Sequence, residues 1–90
     1  MLIDYEIMQP FVDRSKQDES YMLKVIEMSL KYAVFKECFT TIYSKMTPIE
    51  ELPIEEKKDL WEYVKVKFPN RKQSDQIELC KRVYVMGSLF

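Results

Sequence analysis

Two carboxylate pairs, Glu50-Glu51 and Glu55-Glu56, are the residues best placed in this chain to do chemistry, each following a Pro-Ile step at Pro48 and Pro53. Two acids facing each other across a cleft, with separated pKa values, can divide general-acid and general-base work as in glycoside hydrolysis. Here each pair follows a proline at what reads as a helix start, where acids complement the macrodipole. That placement favours capping and solvated charge over catalysis. The other chemistry-bearing residue types are sparse. The chain has no His, which removes the commonest general base and metal ligand, and any His-dependent triad. Cys38 and Cys80 stand far apart and outside any CxxC, so Cys and His together cannot build a closed zinc site. They read as small core residues in a reducing compartment. A single Gly excludes glycine-rich phosphate loops, and the acids lack calcium-loop spacing. The sequence predicts no enzyme, no catalytic residue, no cofactor and no metal.

Charge distribution carries more information than the formal net charge of −1. Residues 47–62 hold six acids (Glu50, Glu51, Glu55, Glu56, Asp59, Glu62) against Lys57 and Lys58. Residues 63–90 reverse this, with Lys65, Lys67, Arg71, Lys72, Lys81 and Arg82 against Asp75 and Glu78. Such a split either pairs internally, meets an acidic partner, or faces nucleic acid. Residues 63–86 also permit a DNA-binding helix-turn-helix, with a break at Pro69-Asn70 and basic residues on both sides of a last helix. Asp75 and Glu78 sit where that reading needs polar or basic side chains, and a pI near 5.5 is wrong for a strong DNA binder. A protein partner is the better expectation. Its candidate contacts are Trp61, as an aromatic anchor, the cations Lys65, Arg71, Lys72, Lys81 and Arg82, and the terminal Phe90.

The elements that must position these side chains are predicted to be helices. From Tyr21 to Met46 an apolar seam runs through Tyr21, Val25, Met28, Tyr32, Phe35, Phe39, Ile42 and Met46, in steps of four and three. Ser15 offers a capping box ahead of it, and neither Gly nor Pro interrupts residues 15–46. The expected element is one long central helix over 15–46, a rod of roughly 45 Å that either kinks or projects toward a partner. Its seam fits the core of a bundle, and its face also suits a homodimer, although Tyr32, Phe35 and Phe39 are bulky for a two-stranded coiled coil. Upstream, residues 2–8 read as a short helix or strand, with a break near Gln9 imposed by Pro10. Downstream, Thr47-Pro48-Ile49-Glu50 is a second capping box and Pro53 a step into a helix from Ile54 to Phe68. The alternation in residues 63–68 leaves a strand open there. Ser74 is the expected cap of a last helix, residues 75–86, and Gly87 its left-handed stop.

The chain is therefore expected to be all-α: a single domain over 1–90, built on the long helix with two shorter helices packed across it. At 90 residues the core is small, and docking to a partner would stabilise it. An acid at Asp4 in place of a basic leader, and no apolar run near the ~20 residues a bilayer span needs, predict a cytoplasmic protein without membrane contact. Missing catalytic chemistry and split charge point to a small regulator, adaptor or inhibitor that binds a macromolecule. In length and composition the chain resembles a small accessory protein of phage or mobile-element origin.

Overall fold

Five α-helices account for most of the chain: α1 (Leu2–Ser15), α2 (Glu19–Met28), α3 (Ala33–Tyr43), α4 (Ile54–Lys67) and α5 (Gln73–Leu89), with one 3₁₀ turn at Ile49–Glu51. The computed structural model describes residues 2–89, and side chains from Glu6 onward; no strand occurs among the described residues. The all-helical expectation stands, including helix over residues 63–67.

The continuous helix expected over 15–46 is instead two helices and a corner. Ser15 ends α1, and Asp18 caps α2 by accepting from the backbone N–H groups of Ser20 (3.0 Å) and Tyr21 (3.4 Å). The second break needs no Gly or Pro. Fully buried Ser29 turns its hydroxyl back onto the Ile26 carbonyl, a local bond that competes with helix continuation. Leu30 and Lys31 then donate to Glu27 and Met28, closing 3₁₀-type turns at 3.0 Å each. Tyr32 leaves the helix with φ −104° and ψ 121°, 55% exposed, and starts α3 by accepting from Lys36 N–H. The seam thus holds at Val25, Phe39 and Ile42 but is interrupted at Tyr32. Bending removes the conflict between a rod of roughly 45 Å and a molecule measuring 31 × 26 × 24 Å.

α5, rather than one long 15–46 helix, is where three of the other helices meet. It packs against α2, α3 and α4, while α1 packs against α2 and α3. Leu79, Cys80, Val85 and Met86 of α5 meet Met8 and Val12 of α1, Val25 and Ile26 of α2, Cys38, Phe39 and Ile42 of α3, and Val64 of α4 in one core. Phe11 and Phe35 join α1 to α3 edge-to-face at 5.0 Å, and Tyr43 and Tyr84 join α3 to α5 at 6.2 Å.

Three other local expectations are corrected. Pro10 lies inside α1 without ending it. Met8, Val12 and Ser15 are buried at helical spacing on both sides of it, while Gln9 and Pro10 face solvent. The box at Thr47 does not form; Pro48 and Pro53 precede their helical turns without a side-chain cap. The corner is held instead by Tyr43, whose hydroxyl accepts from Ile49 N–H at 2.9 Å, and by Tyr84, whose hydroxyl donates to the Thr47 carbonyl at 2.8 Å. α5 begins at Gln73, placing Ser74 inside its first turn, and continues through Gly87, which has no positive φ.

Candidate functional site

α4 is acidic at its start (Glu55, Glu56) and basic in its last turn (Lys65, Lys67), each matched to the helix dipole. Phe68 and the following turn reverse the chain into α5, and the Gln76 side-chain amide donates to the Phe68 carbonyl at 3.0 Å. Apolar residues on the facing sides of the two helices close only part of the seam, leaving a depression on either side.

On one side, Trp61 and Leu60 of α4, Ile49, and Ile77, Cys80 and Lys81 of α5 line a crevice of about 180 Å³. On the other runs an open groove of about 510 Å³, floored by Leu52, Leu60, Val83 and Tyr84 with Tyr63 beside them, bordered by Glu56 and Asp59, and ending at Gly87 and Ser88. Both groove tyrosines have their hydroxyls tied elsewhere. Tyr84 bonds Thr47, and Tyr63 donates to Glu19 at 2.6 Å. Burial first, and then the Glu19 carboxylate, push the Tyr63 phenol above its ordinary range, while that hydrogen bond and Lys67 hold the Glu19 carboxyl below its own.

The six cation and aromatic candidates that fall among the described residues do not form one face. Arg71 is half-buried and locked to Glu27 at 2.6 Å, tying the α4–α5 corner to α2. Arg82 is 4% exposed; its Nη1 donates to the Glu78 carbonyl (3.1 Å) and carboxylate (3.2 Å), and its Nε is buried with no partner among the described residues. Lys81 reaches the same Glu78 at 3.5 Å and lies over the Tyr43 ring. Burial alone would raise the Glu78 carboxyl, but the Arg82 hydrogen bond and the charges of Lys81 and Arg82 outweigh it and hold the group below its ordinary value. Lys65 is exposed over the half-buried Trp61 ring, and Lys72 is exposed with no partner among the described residues. Trp61 and Lys81 share the smaller crevice. Arg71 and Arg82 share a polar one with Lys36, Asp75 and Glu78, so acids alternate with the cations. Phe90 lies outside the described residues.

The residue types considered for catalysis are dispersed. Glu50, Glu51, Glu55 and Glu56 are all exposed at element starts. Cys38 and Cys80 are buried thiols, and burial pushes the Cys80 thiol up, away from thiolate reactivity. Among the described residues no cluster of three potential metal ligands occurs, and no helix is long and apolar enough to cross a membrane.

The groove was not foreseen from sequence. Its signal was Gly87, an isolated glycine in an otherwise helical pattern, where a packing or close-approach role competes with helix termination. Comparison with protein-family models, curated proteins and solved structures yields no match.

Proposed function

We propose that this chain is a non-enzymatic protein-interaction module: a small cytoplasmic regulator, adaptor or inhibitor that acts by occupying the surface of a macromolecular partner. The observation that carries this reading is how the opposite charges are used. Four of the six cations that favoured nucleic acid are engaged within the fold, as Lys67–Glu19, Arg71–Glu27, and Lys81 and Arg82 with Glu78, while Lys65 and Lys72 stay exposed without an ion pair among the described residues. By contrast, Glu50, Glu51, Glu55, Glu56, Asp59 and Glu62 are all exposed, and none closes an ion pair among the described residues. A duplex binder needs the reverse arrangement, with free cations along one face to displace counterions. Large apolar side chains also remain exposed, Ile54 at 77%, Val66 at 72% and Val34 at 60%.

Fluorescence anisotropy of labelled duplex DNA against the pure protein, at low and at physiological salt, tests this reading. The expected result is no binding at physiological salt. Binding that persists there, and weakens linearly with the logarithm of salt concentration, would transfer the function to a helix-turn-helix in residues 63–86.

A further inference from the structure

The only glycine of the chain sits where a glycine does harm. Gly87 lies in the last turn of α5, at a helical backbone conformation, where Gly is a poorer helix former than Ala. Among the described residues no packing requires it: a Cβ built there meets no atom of another element within 4 Å. The open space it faces is the α4–α5 groove. Bare backbone at a groove wall lets a second backbone approach closely, which is the role left for Gly87 once turn and packing roles are removed.

We propose that this groove receives a basic amphipathic helix of a partner protein, with apolar side chains on the Leu60–Val83–Tyr84 floor and Lys or Arg side chains against Glu56 and Asp59. The groove runs between two helices, and no strand edge exists among the described residues to accept an extended peptide, which sets helix-in-groove ahead of strand addition. Among the described residues no cation lines the groove, which Glu56 and Asp59 border. Tyr63 and Tyr84 line the groove with their hydroxyls bonded to Glu19 and Thr47; Tyr84 also meets Tyr43 edge-to-face, and the Lys67 ammonium lies 5.7 Å from the Tyr63 ring. An apolar floor with an acidic border selects an apolar ligand flanked by positive charge. This inference rests on the protein-interaction reading and specifies its partner.

The test uses the full chain and two labelled synthetic peptides, identical helix formers with Leu at helical spacing, one flanked by Lys and the other by Glu. Anisotropy gives affinity and amide chemical-shift mapping gives the site. The Lys peptide is expected to bind, to shift amides around Leu60, Val83 and Gly87, and to lose about tenfold or more in affinity in Gly87→Leu, which fills the groove, and in Glu56→Lys/Asp59→Lys, which reverses its border. Circular dichroism and thermal midpoints verify that the variants fold; the charge-reversed variant alters only exposed side chains and stands in if Gly87→Leu unfolds. Equal binding of both peptides, shifts mapped elsewhere, no binding of the Lys peptide, or affinity unmoved by the variants would overturn the proposal. So would a concentration-dependent dimer that Gly87→Leu dissolves, since a second copy would then be the occupant. Failure of the groove leaves the DNA result standing on its own; DNA binding at physiological salt would remove the wider reading whatever the peptides do.

Discussion

Arg82 holds a guanidinium on the buried side of α5, with one turn of its own helix supplying both acceptors. Its aliphatic stem packs as core and its head must be paired, so truncation has two effects. Arg82→Ala is expected to destabilise the fold by about 1–3 kcal/mol, less than a fully buried pair because Glu78 remains half in water. Arg82→Met, which keeps the stem, should recover most of that loss; urea denaturation of the two variants measures the difference. Glu78 supplies the accompanying pH dependence. Its folded pKa lies below its ordinary 4.5, so its contribution is complete above that value and is lost as pH falls through the folded pKa. The urea midpoint should therefore decline as pH falls below the ordinary carboxylate value of 4.5, and Glu78→Gln should reduce that decline. Gly87→Ala is the stabilising counterpart. With open space at the Cβ and helical φ, it should gain about 0.5–1 kcal/mol and raise the thermal midpoint by a few degrees.

At the scale of elements, the corner between α2 and α3 gives the sharpest test. Ala33 is the first residue of α3, and Tyr32 before it is extended, the conformation a following proline demands. Ala33→Pro should be neutral or stabilise by up to about 1 kcal/mol, whereas in an unbroken helix over 15–46 it would cost about 3 kcal/mol. Thermal melts separate the two outcomes. Periodicity made the helices legible, because apolar residues at spacings of three and four bury the same faces on either side of a bend. It could not show the bend. Tyr32 falls in step with the seam by number, yet Ser29 back-bonding turns the chain before it. Pro10 misled in the opposite direction: its local penalty is real, but burial of Met8 and Val12 on either side outweighs it. The groove was illegible for a related reason, since it exists only once α4 and α5 are docked.

For the whole molecule, what counts is which charges remain after folding. Composition showed acids and bases separated along the chain, but not that residues 19, 27 and 78 would draw the bases inward. The acidic stretch of 50–62 remains outside as the densest run of like charge, beside exposed lysines such as Lys65 and Lys72, so local steering at that stretch should favour cationic partners. Association with the Lys-flanked peptide should slow markedly as ionic strength rises from about 0.05 to 0.5 M while its dissociation changes little, and stopped-flow mixing would resolve the two. A dissociation rate carrying the whole salt effect would show that the border charges act by contact alone.

Protein synthesis runs from the N-terminus, and α5 is the last of the five helices to leave the ribosome. It is also the helix on which α2, α3 and α4 meet. The earlier helices must therefore wait with their apolar faces uncovered while α5 is translated, roughly one to three seconds at ordinary elongation rates. Nascent chains stalled before residue 73 should stay sensitive to protease, and those carrying α5 clear of the exit tunnel should become resistant in a single step. For this topology, closure of the fold waits on α5, and the interval before α5 emerges is when a chaperone has something to hold.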